Sequence, residues 1–297
     1  MKIAFIGCIT LSCKMLQHLL TSSYAEVVGI VTCNKSSFNA DFASLKPLAS
    51  EADIPCFIVE GNKQNAMAEW LRTLRPDVIY CFGWSYLLRK EILQIPKLGV
   101  VGYHPAALPK NRGRHPIIWA LALGLKSTAS TFFFMDEGAD SGDILSQETV
   151  MIDDTDDAGI LYEKLSVSSL RQITDFTALL AEGKYTRIPQ DHEKANYWRK
   201  RINDDGKIDW RMSAKSIHNL IRALTRPYIG AHSIFQQREV KIWKANVALL
   251  DEPEIDNVEP GKVLSVEDET IVVKCGEGAL RIIAHEFPAF LSVGDYL

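Results

Sequence analysis

The sequence predicts an α/β protein in two parts: a mostly parallel sheet with helices on both faces, then a small β-barrel. Up to residue 182, short apolar runs alternate with amphipathic stretches, the pattern of βα units stacked into a parallel sheet. Beyond residue 206 the pattern changes to short alternating runs separated by turns, which suits a small barrel. The length of 297 residues allows one large or two modest domains and is enough to bury most of the apolar surface in cores.

Taken in order, "KIAFIGC", "EVVGIVT", "PCFIV", "DVIYCFG" and "GVVGYH" read as strands. Between them, "SCKMLQHLL", "LKPLASEA" and "NAMAEWLRTL" carry apolar residues at helical spacing. "HPIIWALALGL" opens like a helix, with Pro116 tolerated in its first turn. "STASTFFFM" and "DILSQETVMI" read as strands flanking the turn "DEGADSG", and a helix over 156–182 closes this part. The polar stretch "EGKYTRIPQDHEKANYWRKRINDDGKIDW" has weak periodicity, so the linker is placed there. One more helix, "SAKSIHNLIRAL", precedes the strands "HSIFQQ", "EVKIWKANV", "GKVLSV", "TIVVKC" and "ALRIIAHEF".

Several classes are excluded by what is missing. "MKIAFIGC" lacks a signal-peptide layout, and no run approaches the roughly 20 apolar residues a bilayer requires, so a cytoplasmic protein is expected. The six cysteines form no C-x-x-C and no histidine stands at metal-ligand spacing, which reads as reduced core thiols and no metal. "FIGCIT" offers one glycine where a dinucleotide fingerprint needs three, and neither a Walker sequence nor H-E-x-x-H occurs. The net charge of -4 argues against bulk nucleic-acid affinity. The charge is uneven, however: residues 190–245 carry a net +6 and residues 246–297 a net -8, which marks a local anion-binding face or a solvated surface.

In open parallel sheets ligands bind outside the carboxyl ends of the strands, and His104 ends one. Strand alternation puts Gly102 and His104 on one face and Tyr103 on the other. Pro105 and Pro109 stop the strand by removing ladder donors and fixing φ, which makes the turn "PAALPKNRG" rigid under the imidazole. The second turn, "MDEGADSGDIL", carries Asp136, Glu137, Asp140 and Asp143. A carboxylate there that reaches His104 forms a general acid/base pair; the remaining acids read as turn caps.

With these residues in view, the chain resembles the formyltransferases that use 10-formyltetrahydrofolate, a group that acts on methionyl-tRNA, glycinamide ribonucleotide or amino-sugar nucleotides. "HPAALPKNRGRHPIIWAL" resembles the family's H-P-S-L-L-P-x-x-R-G-x-x-P-x-x-W, and "DEGADSGDIL" resembles its D-x-G-x-D-x-G turn. "DGKIDW" and "IRALTRPYIGAH" resemble the start of the C-terminal domain of the tRNA and sugar enzymes. The resemblance implies a Rossmann-like catalytic domain over residues 1–190, a linker over 191–205 and an OB-like β-barrel over 206–297.

By the same resemblance His104 is the catalytic histidine and Asp140 the aspartate that tunes it. The family's third catalytic residue is an asparagine two places before the histidine, where this chain has Gly102. Loss of such an oxyanion donor typically costs about 10²- to 10³-fold in rate, and Asn111, a backbone N–H, water or a substrate hydroxyl is left to replace it. Folate is expected on the loop "FGWSYLLRKEIL", with Trp84, Tyr86 and Leu87 around the pterin together with the backbone of Glu137, Gly138 and Asp140. Tyr103, Asn111 and Arg114 are the candidates for substrate binding, Arg114 because a guanidinium fork suits anions; Arg112 reads as structural. Methionyl-tRNA enzymes usually carry a basic insertion after the second strand. Here "TCNKSSFNADFASLK" sets Lys35 and Lys46 against Asp41. An amino-sugar nucleotide is therefore the expected acceptor and small-molecule partner, with methionyl-tRNA as the alternative and a catalytically silent folate- or nucleotide-binding protein as a third reading. The barrel is left three roles: substrate binding, in which Arg222 and Arg226 would meet a phosphate, self-association as a homodimer, or stabilisation.

Overall fold

A computed structural model describes residues 1–35, 40–249 and 255–297. The chain divides into two compact units that are interleaved along the sequence. The first contains Met1–Pro116, Thr128–Val150 and Glu163–Trp198; the second contains Ile117–Ser127, Met151–Tyr162 and Arg199–Leu297.

The first unit holds a seven-stranded sheet. Its strands are β1 (Lys2–Ile6), β2 (Glu26–Cys33), β3 (Cys56–Val59), β4 (Val78–Cys81), β5 (Val100–His104), β7 (Ser127–Phe134) and β8 (Ile144–Met151), in the order β3-β2-β1-β4-β5-β7-β8. A two-residue strand, β6 (Arg112–Gly113), lies outside this sheet and pairs in parallel with β9 (Tyr197–Trp198). The pairs from β3 through β5 are parallel, and β5–β7 is antiparallel. The expected parallel α/β arrangement holds, with β7 reversed beside the strand that ends in His104. Ile3 to Ile6 and all of β4 are buried, the near-continuous apolar run of strands covered on both faces.

Alternation along these strands supplies two cores. Ala4, Ile6, Ile79 and Cys81 pack with Met67, Ala68 and Leu71 of helix α3 (Gln64–Leu74). From the other parity, Tyr80 and Phe82 join Phe132 and Phe176 in ring contacts of 4.8 to 5.7 Å between centroids. Phe176 belongs to α6 (Ala158–Glu182), whose Thr177 hydroxyl also shares a 2.9 Å hydrogen bond with the Tyr80 phenol.

In the second unit α7 (Ala214–Leu224) accompanies a five-stranded antiparallel sheet. Its strands are β10 (Ala231–Phe235), β11 (Arg238–Ala248), β12 (Val263–Glu267), β13 (Thr270–Lys274) and β14 (Ala279–His285), in the order β10-β11-β14-β13-β12. Ser213 caps α7 by accepting the Ser216 N–H, and Ala214, Ile217, Leu220, Ile221 and Leu224 form its buried stripe, the spacing of an amphipathic helix. Every predicted strand and helix named above is present, apart from the termini of individual elements.

Candidate active site

His104 ends β5, and the turn beyond it is held by its neighbours' side chains. Thr128 Oγ1 donates to the Pro105 carbonyl at 3.0 Å, Thr131 Oγ1 to Ala106 at 2.6 Å and Gln147 Nε2 to Leu108 at 3.0 Å. Carbonyls that two prolines leave without a ladder are thus satisfied, as burial demands. The imidazole is 5% exposed. Its Nε2 lies 2.7 Å from the carbonyl of Asn111, and a carbonyl only accepts, so Nε2 carries a proton. Nδ1 then faces Asp140, whose Oδ2 is 3.6 Å away. This separation is ion-pair distance, beyond a direct hydrogen bond, and makes Nδ1 the nitrogen with freedom to exchange a proton.

Asp140 is fixed from both ends. Its Oδ2 accepts the Gly113 N–H at 2.8 Å, and its carbonyl accepts from Gln190 Nε2 at 2.9 Å. Its φ of 55° is left-handed, a conformation uncommon for non-glycine residues in which Asp is among the better tolerated. Among the other acids of the turn, Asp136 is a cap: its Oδ1 accepts from the Gly138 N–H at 2.9 Å and from Ser141 Oγ at 2.6 Å. Glu137 points outward to Lys90 at 3.3 Å. Gly138 has no room for a side chain, which would collide with Ser141.

The segment 111–114 holds both partners, through backbone groups. Asn111 contributes its carbonyl to the ring and its N–H to Asn196 Oδ1 at 2.8 Å. Arg112, 1% exposed, donates through Nε and Nη2 to Gln190 Oε1 and through Nη1 to the Tyr197 hydroxyl. Gly113 lies so close to β9 that a side chain would strike the Trp198 carbonyl. Arg114 donates Nη1 to the Ser85 carbonyl at 3.0 Å, tying the turn to the loop that follows β4.

In that loop Trp84 and Tyr86 meet edge to face at 6.0 Å. The Trp84 indole N–H is buried with no hydrogen-bond partner, while Leu87 is 59% exposed. Tyr103 lies on the opposite face from His104, as strand alternation predicts: its ring packs on Phe132 at 4.8 Å and its hydroxyl accepts from Ser130 Oγ at 3.4 Å. Burial pushes its phenol well above the usual range. The Tyr103 side chain is therefore not brought to the imidazole.

Gly102 stands opposite Phe133 in the β5–β7 pair. A Cβ there would lie 2.8 Å from Met135 Cγ and 3.0 Å from the Phe133 ring. The space a side chain would need beside His104 is filled. Gln190, Asn196 and Tyr197 escape the sequence reading because they fall in a polar stretch without periodicity. Four residues of the loop after β2 (36–39), which bear on the missing basic insertion, lie outside the described residues. Among the described residues no three His, Cys, Asp or Glu side chains gather as a metal site.

Family models match nearly the whole chain: residues 1–173 match "Formyl transferase" and residues 201–289 match "Formyl transferase, C-terminal domain". The chain belongs to the formyl transferase family. It is thus an enzyme of formyl transfer. It is 34% identical over 304 residues to the methionyl-tRNA formyltransferase of Caldanaerobacter subterraneus subsp. tengcongensis, covering 100% of this chain and 96% of that protein. In fold it is similar to WlaRD, a sugar 3N-formyl transferase, with a TM-score of 0.71 at 19% identity over 96% of this chain and 97% of the other. An N-formyltransferase from Helicobacter canadensis, solved with folinic acid and dTDP-3-aminofucose, gives a TM-score of 0.71 at 17% identity over 96% and 99% of the two chains.

Proposed function

We propose that this formyltransferase moves the formyl group of 10-formyltetrahydrofolate to the amine of methionyl-tRNA, with His104 and Asp140 as its catalytic pair. The acceptor is supported by the full-length 34% identity to a methionyl-tRNA formyltransferase, and by 33% over 303 residues to that of Alkaliphilus oremlandii. This reverses the order read from the sequence, in which an amino-sugar nucleotide came first; the solved sugar enzymes, at 17% and 19% identity, share the fold alone.

For the folate, the buried unpartnered indole N–H of Trp84 and the exposed Leu87 suit a heteroaromatic ligand at the loop after β4. When bound, 10-formyltetrahydrofolate supplies an electrophilic formyl carbon. His104, with Nε2–H committed to Asn111, acts through Nδ1: in the imidazolium form it donates to the formyl oxygen as negative charge develops there. Asp140 supplies the counter-charge for that form and takes the proton that the attacking amine sheds, directly or through water. The formyl carbon–N10 bond of the folate then breaks and that proton passes to N10, so that tetrahydrofolate leaves as a neutral amine. The observation that carries this reading is one buried imidazole with its Nδ1 turned to a carboxylate at the mouth of a parallel sheet.

Amino-sugar nucleotides remain the second reading on one observation, the overall net charge of -4; within the net +6 stretch, four of the twelve cations pair with acids of the same stretch. Arg199 pairs with Asp205, Arg211 with Asp209, Lys194 with Asp191 and Lys241 with Glu239. Phosphate-backbone binding needs uncommitted cations. Purified protein with labelled 10-formyltetrahydrofolate, offered either initiator methionyl-tRNA or amino-sugar nucleotides, separates the two. Transfer to the tRNA that weakens steeply between 50 and 200 mM salt, about tenfold or more, is expected; label appearing only on a sugar nucleotide would replace the acceptor.

A further inference from the structure

Gln190 reaches the site from the polar stretch after α6, and its side chain is 6% exposed. One amide makes four bonds. Nε2 donates to the carbonyls of Asp140 at 2.9 Å and Gly142 at 2.6 Å, while Oε1 accepts from Arg112 Nε at 3.2 Å and Nη2 at 2.6 Å. Arg112 sits between the residue whose carbonyl holds the His104 ring and the residue whose N–H holds the Asp140 carboxylate. Gln190 therefore joins the turn bearing Asp140 to the segment that orients His104.

We propose that Gln190 is a positioning residue that sets the separation of His104 and Asp140. Only an uncharged amide supplies donor and acceptor at opposite edges of one rigid plane: a carboxylate would accept from Arg112 but repel the two carbonyls, and an aliphatic side chain would do neither. The left-handed backbone at Asp140 makes this support consequential, because Gln190 Nε2 bonds the carbonyls of Asp140 and Gly142 on either side of that turn, beside the contacts of Asp136 and Gly113. Displacements of about an ångström in a catalytic group cost up to 10²-fold in rate, so the separation is worth controlling. The catalytic consequence rests on the formyl-transfer reading; the geometric one does not.

The test uses the full chain with Gln190→Glu, which retains the Arg112 contact and removes the donors to the turn. Two readouts are needed. In hydrogen exchange, the Gly113 amide, whose partner is the Asp140 carboxylate, is expected to lose about tenfold or more in protection while the β5 amides stay unchanged. In the formyl-transfer assay, kcat is expected to fall about ten- to hundredfold with KM for 10-formyltetrahydrofolate within about twofold and Tm within about 3 °C. Unchanged Gly113 protection overturns the proposal whatever the activity, as does wild-type kcat, or a loss explained by Tm or KM. Should Gln190→Glu fail to fold, Gln190→Asn, which keeps both kinds of bond on a shorter arm, is expected to show the same two changes at smaller size; wild-type behaviour there overturns the clamp. Wild-type protein that formylates no amine would sink the transferase reading alone, since the Gly113 readout needs no substrate.

Discussion

The carboxyl end of β5 and the helix α7 each enclose a histidine, and the two are treated oppositely. Around His104 stand acceptors: the Asn111 carbonyl on one nitrogen and the Asp140 carboxylate facing the other. His218 on α7 has a buried Nδ1 without a hydrogen-bond partner. Burial first, then the neighbouring Arg222 and Lys215 charges, push its pKa down to about 4 against the opposing pull of Asp154. Acceptors suit a ring that carries and passes protons; cations and dry walls keep a ring neutral. Burial alone therefore says little about whether a histidine does chemistry. The sign and kind of its neighbours decide.

The strongest way to break this comparison is to remove each ring. His104→Ala and Asp140→Asn are each expected to lower single-turnover formyl transfer by about 10²- to 10⁴-fold, whereas His218→Ala leaves it within about threefold. Comparable losses at both histidines would dissolve the distinction.

The next effect concerns the filled space at Gly102. Gly102→Asn, which introduces the residue type that the family resemblance implies there, is expected to destabilise the first unit by about 1–3 kcal/mol through overpacking against Met135 and Phe133. It should bring no gain in rate. Adding Met135→Ala is expected to recover part of the loss, a non-additivity readable in denaturant midpoints; strict additivity would mean that the two side chains do not compete.

The smallest effect is a pH dependence. Between pH 6.5 and about 4 the unfolded chain binds a proton at His218 that the folded unit refuses, so stability falls as pH falls through this window, by up to about one proton's linkage. Above it the contribution is complete. His218→Gln should flatten that part of the profile in urea melts followed by a signal from the second unit. A wild-type slope in the variant would assign the acid sensitivity elsewhere.

Part of the site was legible residue by residue. His104 follows an apolar run and precedes two prolines, so its place at a strand end is a local property. Asp140 lies in a Gly-Asp turn bounded by two apolar strands, which is also local. Gln190 and Tyr197 gave no signal: one is buried and the other exposed in a polar stretch without periodicity, and what holds each is a guanidinium 78 and 85 positions away. Asn111 holds the imidazole through its backbone carbonyl, which has no sequence signature.

By itself the sequence determined the alternation of strands and helices, the change to short alternating strands after the helix at 214, and which ionisable groups stand at strand ends, because periodicity and proline stereochemistry act over a few neighbouring residues. Only the tertiary structure decided which nitrogen of His104 faces Asp140, that Phe133 and Met135 fill the space beside Gly102, and that a glutamine beyond α6 bonds the turn that carries Asp140. Each of these depends on strand register and packing between segments distant in the chain, which are set when the core closes.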